Sequence, residues 1–379
     1  MRKPVPESPS SSSMNVLSRL LLAASGEGSA SAEAQASEAE AKAALISKLK
    51  NMGRDEFEIL TDLAQKNHVI VRGLHAFREL LLDDQHGAVQ IEWAQSALGA
   101  EQARITRALQ FLHRVCCAFE ESGLDAMVIK SLDHWPDIGS DLDLYTDATP
   151  EQVMRLMKGR FNAQIMPRSW GDRLARKWNF LIPGLPEPVE IHAGRLGQTG
   201  EQHALARSLM RGSRRVFPGG CSFRTTSIPD RLMISTLQRM YRHFYFRLCD
   251  VVDTVALADG GGIDYEALRT PAEDAGIWAG VAAYLKIVSD YASSYRGRGL
   301  ALPGFVTEAA HFGGSTLYFS RGFLRIPILP QAAELYGLQL VGVLGRGELH
   351  AGLRLGLLPW LATAAVVGQK LTGSDKGIW

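Results

Sequence analysis

The stretch Gly139-Ser140-Asp141-Leu142-Asp143-Leu144-Tyr145 constrains the fold more than any other part of the chain. Acids and leucines alternate, so on a strand Asp141 and Asp143 would face one way and Leu142 and Leu144 the other. The leucines would enter a core and both carboxylates would face a cleft. Like charges a few ångströms apart oppose each other's ionisation. A hard divalent cation relieves that repulsion and leaves coordination sites open for phosphate oxygens. The pattern therefore points to a metal site for phosphoryl-group chemistry, although a solvated strand edge or turn carries the same residues.

With 379 residues the chain can build two or three domains. A formal net charge of +1 announces no global nucleic-acid binder, so any positive site must be local. Four cysteines, of which Cys116 and Cys117 are adjacent, form neither a disulfide framework nor a zinc spacing, and a reducing, cytoplasmic setting is expected. The run Leu20-Leu21-Leu22-Ala23-Ala24 is too short for a signal peptide and follows Arg19. Leu355 to Gly368 is apolar, contains Pro359 and is expected to be a buried helix, with a membrane-surface contact as the alternative; stable membrane insertion is not expected.

Four regions follow from the patterning. Residues 1–43 are Pro/Ser-rich and then Ala/Ser/Glu-rich; 1–13 are expected to be unstructured, with a possible short helix over 15–24 and either a solvated helix or a linker after it. Residues 44–122 carry helical apolar spacing, with one helix expected from about Ala100 to Glu121. Residues 123–225 hold the strand candidates Ala126–Ile129, the Asp141 stretch, Gln164–Met166, Trp178–Ile182 and Val189–His192. Thr149-Pro150-Glu151-Gln152 is a helix start, with a cap, a first-turn proline and a capping-box glutamine. Residues 226–379 read as helical, with one long helix from Pro229 to near Gly260 and a loop at Gly313-Gly314. The expected class is α+β, a small mixed sheet flanked by N-terminal and C-terminal helical regions.

Three pieces carry the chemistry. Lys130-Ser131 ends a hydrophobic strand, with nine residues between Ser131 and Asp141. The acid strand follows, and Glu190 then supplies a third carboxylate in Val189-Glu190-Ile191-His192. Strand, small polar turn, Asp-x-Asp strand and later acidic strand resemble the nucleotidyltransferase fold shared by DNA polymerase beta and small-molecule nucleotidyltransferases. The closer resemblance is to the bacterial family called uncharacterised nucleotidyltransferases, through Lys130-Ser131, Ser140 to Leu144 and Glu190-Ile191-His192. It extends over about Leu17 to Leu257, with Lys130 where a glycine is expected and Glu190 where Asp is commoner.

That resemblance implies Mg2+ or Mn2+ held by Asp141, Asp143 and Glu190, a nucleoside triphosphate as co-substrate, and transfer of its nucleoside monophosphate to a hydroxyl with release of pyrophosphate. Ser131, Lys130 and Ser140 would meet the phosphates. On the expected long helix Arg239, His243 and Arg247 share one face and could bind triphosphate or an acidic acceptor, or be a solvated face. Asp250 and Asp253 are expected to pair with arginines. Asp137 and Asp147 read as loop and strand-end residues, and His192 as a structural partner or a base. The acceptor stays open: small molecule, polysaccharide precursor, protein or RNA end. Two other readings compete: a glycosyltransferase whose Asp-x-Asp holds Mn2+ and a nucleotide sugar, and a non-catalytic binding or scaffold relative. The transferase reading hangs on three acids from two strands meeting at one divalent-ion pocket: Glu190 pointing away from the other two, or a lysine ammonium filling the space between them, would remove it.

Overall fold

The computed structural model describes residues 9–23, 32–82, 87–197 and 199–360. Among them, helices come first: α1 (Pro9–Leu22), α2 (Ala32–Lys50), α3 (Arg54–Lys66), α4 (Ile70–Leu82) and α5 (Ala88–Glu121). Helices α3 and α4 each bury one stripe, Phe57, Leu60 and Leu63 on the first and Leu74, Phe77 and Leu81 on the second. Such spacing turns apolar side chains to one side of a 3.6-residue helix.

The strands follow, with short helices between them. They are β1 (Ala126–Val128), β2 (Leu142–Thr146), α6 (Pro150–Phe161), β3 (Gln164–Ile165), α7 (Trp170–Leu174), β4 (Lys177–Leu181), β5 (Val189–Ala193), α8 (His203–Leu209), β6 (Arg214–Val216) and β7 (Phe223–Thr225). They build a mixed seven-stranded sheet in the order β3-β4-β5-β2-β1-β7-β6. Strand β2 runs antiparallel to β1 and parallel to β5. The start of α6 has the expected cap: the Gln152 N–H donates to Thr149 Oγ1, and the Thr149 N–H to Gln152 Oε1.

Strand alternation assigns the two faces of the sheet. Val128, Leu142, Leu144, Val189 and Ile191 enter a core with the N-terminal helices. Met127, Ile129 and Tyr145 enter a second core with the C-terminal helices. The sheet is thus a layer between two helical layers, and Asp143 emerges on the C-terminal side with Tyr145. The chain is a mixed α+β protein.

The C-terminal part departs from the expected run of helices. It comprises α9 (Ile228–Thr236), a π-type segment (Leu237–His243), β8 (Tyr245–Phe246), α10 (Leu248–Asp259), α11 (Tyr265–Asp274), α12 (Trp278–Arg296), α13 (Gly304–Ala309), β9 (Tyr318–Ser320), β10 (Phe323–Arg325), α14 (Ala333–Gly345) and α15 (Leu349–Gly356). The long helix expected from Pro229 to Gly260 is broken at Phe244, which takes a left-handed φ of 54°. Strand β8 then joins β10 and β9 in a second, three-stranded sheet. Arg214 and Arg215 lie on edge strand β6.

Three further expectations change. Helix α1 begins at Pro9, so 10–13 are helical, and Met14, Leu17 and Leu20 are buried. Helix α5 starts at Ala88, a dozen residues before the expected Ala100. Asp137 is fully buried: it accepts from the Val71 N–H at 2.6 Å and pairs with Arg72 at 2.7 Å. Most of the apolar stretch Leu355 to Gly368 lies outside the described residues. No described helix is long and apolar enough to cross a membrane.

Candidate active site at the acidic strands

Register places the acids. Asp143 on β2 pairs with Glu190 on β5, and Tyr145 with His192, so Asp143, Glu190 and His192 share one face. Lys177 on β4 pairs with His192 and Asn179 with Glu190, which brings Lys177 to that face too. Ligand-type atoms of Asp143, Glu190 and His192 all lie within 4.8 Å of one another, and the three residues are buried. Asp141 is not in that group. It sits one residue ahead of β2, half-buried, and its charge acts on both Lys130 and Asp143.

Two ammonium groups reach the acids. Lys130 Nζ pairs with Asp143 Oδ1 and stands 3.4 Å from Glu190 Oε1. Lys177 Nζ lies 3.1 Å from Glu190 Oε2 and 3.0 Å from Asp172 Oδ1. Lys130 therefore occupies the space between Asp143 and Glu190, the arrangement that on sequence grounds argues against a metal. The Lys130 backbone has φ 61°. That left-handed conformation is the one glycine adopts freely, and a lysine holds it here.

The two strand acids titrate apart. Burial pushes Asp143 up to about 6; Lys130 opposes the rise, and the charges of Asp141 and Glu190 add to it. For Glu190 burial is outweighed by Lys130, by the His192 hydrogen bond and by Lys177, which hold it well below the usual range. Lys130 favours the charged form of both acids, and of the two Asp143 is the one pushed toward holding a proton. Burial would lower Lys130, but Asp143, then Glu190 and Asp141, raise it.

Ser131 is spent on the scaffold. Its Oγ accepts the Asp143 N–H at 2.7 Å and donates to the Asp141 carbonyl at 3.3 Å, while its N–H donates to the Ile129 carbonyl. The hydroxyl expected to meet phosphate instead braces the acid strand. Ser140 is exposed at the entrance to β2. The loop that leads there is clamped from the helices. Arg72 holds Asp137, and Arg104 donates to the carbonyls of Ile138 at 2.7 Å and Gly139 at 3.2 Å while pairing with Glu101 and Glu187.

The shared face expected for Arg239, His243 and Arg247 does not form, because the helix ends at His243. Arg239 is 3% exposed and pairs with Asp250 at 2.7 Å. His243 packs beside the Tyr245 ring. Gln238 and Arg242, on the same π-type segment, face a cavity of about 340 Å³ whose wall also includes Lys130, His192, Ile234 and Tyr241. Sequence reading missed both. Nor does the expected site include Lys177, although period-two alternation with Trp178 turns it toward Glu190's side.

The residues fit a divalent ion on two counts. Asp141, Asp143, Asp172 and Glu190 set four carboxylates against Lys130 and Lys177, a formal −2 that one dication would balance. The carboxylate oxygens of Asp143 and Glu190, which lie within 4.8 Å of each other, are hard donors suited to Mg2+ or Mn2+. His192 Nε2 lies 2.8 Å from Glu190 Oε1, whereas its buried Nδ1 has no partner. In comparisons of this chain with protein-family models, with curated proteins and with solved structures, no match was found.

Proposed function

We propose that the protein is a divalent-metal-dependent nucleotidyltransferase whose centre is Asp143, Glu190 and His192, with Asp141 at its edge. One observation carries the reading: Asp143 and Glu190 stand side by side on parallel neighbours, with His192 on the same face, beside a cavity. A bound Mg2+ or Mn2+ would neutralise charge on the triphosphate and steady the entering and leaving oxygens. Lys130, on a flexible stem lining the cavity, would swing from Asp143 to phosphate.

His192 is suited to take the proton. A carboxylate only accepts, so Nε2–H donates to Glu190 and the Nδ1 lone pair is left for an acceptor hydroxyl. The hydroxyl would lose its proton to Nδ1 and bond to the α-phosphorus in line. The bond to the bridging oxygen would break, and pyrophosphate would leave. Gln238 and Arg242 would line the acceptor's path.

A second reading is favoured by the Lys130–Asp143 pair itself. With the ammonium fixed in place, the same fold would be a binding or scaffold module without metal. Pyrophosphate release with each of the four ribonucleotides, Mg2+ or Mn2+, and metabolite or RNA acceptors separates the two. Release that is lost in Asp143→Asn and Glu190→Gln supports transfer. Folded protein that binds no divalent ion and releases nothing would leave the scaffold reading.

A further inference from the structure

A second convergence of metal-type ligands lies outside the acidic site. His68 comes from the turn between α3 and α4, His134 from the loop between β1 and β2, and Cys249 from the first turn of α10. Their ligand atoms all lie within 4.8 Å of one another. Cys249 Sγ is 3.6 Å from His134 Nε2, and His134 Nδ1 is 2.5 Å from Asp253 Oδ2. The His68 and His134 rings meet edge to face at 5.7 Å.

We propose that His68, His134 and Cys249 form a zinc site, with Asp253 orienting His134 from behind. Bond lengths of about 2.3 Å to sulfur and about 2.0–2.1 Å to nitrogen at a tetrahedral angle put S and N about 3.6 Å apart. The Cys249–His134 pair already has that spacing. A ligating histidine characteristically gives its other ring nitrogen to a carboxylate, which fixes the tautomer. Asp253 stands in that position on His134 Nδ1.

A Cys–His–Asp row could also be a nucleophile with its base, but Cys249 is wholly buried and does not line the cavity beside the acids. No substrate reaches its sulfur. The cluster instead joins three parts of the fold. Asp253 also takes Arg72 at 2.5 Å, and Arg72 holds Asp137 of the loop that delivers Asp141 and Asp143. An ion here would staple that loop to the N-terminal helices and to α10.

Binding would displace protons. His68 is held neutral, by burial first and then by Arg247 and other cations. Burial raises the Cys249 thiol, and His134 is pushed up to about 10, burial being outweighed by Cys249 and Asp253. To ligate, the Cys249 sulfur must give up its proton to solvent and His134 must present an unprotonated Nε2.

The test is metal content and cobalt substitution on the reduced full-length chain. Zinc near one equivalent, a zinc-dependent rise in Tm and a thiolate-to-cobalt charge-transfer band are expected. The band should vanish in Cys249→Ser and persist in Asp143→Asn/Glu190→Gln, since only a cysteine ligand produces it. Asp253→Asn should weaken binding about 10- to 100-fold. A band that survives Cys249→Ser, or folded wild-type protein with neither band nor Tm shift, would overturn the site. Should Cys249→Ser fail to fold, the wild-type band and the zinc-dependent Tm decide.

Discussion

At the scale of single residues the decisive group is Lys130. Its ammonium and a divalent ion compete for Asp143 and Glu190, so removing one should favour the other. Lys130→Met should bind Mn2+ at least about tenfold more tightly than wild type by calorimetry, and without metal it should lose about 3–5 kcal/mol in urea unfolding, because Asp143 is left buried without its cation while Glu190 keeps Lys177 and His192. Unchanged affinity would mean that the ion does not use these carboxylates. Protons compete at the same place. Asp143 titrates near 6, so below that pH an ion must displace its proton. Affinity should be flat above pH 6 and fall about tenfold per unit below it. For stability the sign is opposite to the usual carboxylate. Asp143 binds its proton more tightly when folded, so its contribution is complete below about pH 3.8 and is lost as pH rises to about 6.

At the scale of elements, the break at Phe244 decides what the basic residues can do. Between His243 and Leu248 the chain turns into β8, and this carries Asp250 back onto Arg239. Arg239→Leu should cost about 3–5 kcal/mol in chemical denaturation, because Asp250 would be left buried and unpaired. It should leave nucleotide binding unchanged, the opposite of what a helix-face triphosphate site would give. The same break marks where the sequence was legible. Strands β2, β4 and β5 alternate strictly, so their faces and bounds, and the meeting of Asp143 with Glu190, could be read within one or two residues, while for Asp250 and Asp253 the sequence offers only that they meet arginines, without naming them. Nothing local distinguishes Leu237–Phe246 from an ordinary helix, because the break depends on pairing of Tyr245 and Phe246 with β10, about eighty residues later. The clamps at Arg72 and Arg104 and the convergence of His68, His134 and Cys249 are likewise long-range. Such contacts leave no spacing signal.

At the scale of the whole molecule, the sheet is a septum between two helical layers, and the N-terminus crosses to both. Helix α1 packs on α3 and α4 on one side and on α12 on the other, where Ser18 Oγ lies 2.7 Å from Tyr291 Oη. Met14, Val16, Leu17, Leu20 and Leu22 are all buried. The Pro/Ser-rich opening hides this role, since serines have modest helix propensity, yet Met14, Leu17 and Leu20 keep a three-residue spacing that puts them on one face. Each buried side chain contributes about 1.5–3 kcal/mol, against a net stability of about 5–15 kcal/mol for a typical domain. Removing residues 1–23 should therefore unfold the protein or make it insoluble, whereas Leu17→Ala alone should lower stability by about 2–5 kcal/mol. Circular dichroism of the two variants checks both. A truncated chain that melts with the wild type would mean that α1 lies on the core without supporting it, and the link it makes between the two helical layers would then have no energetic content.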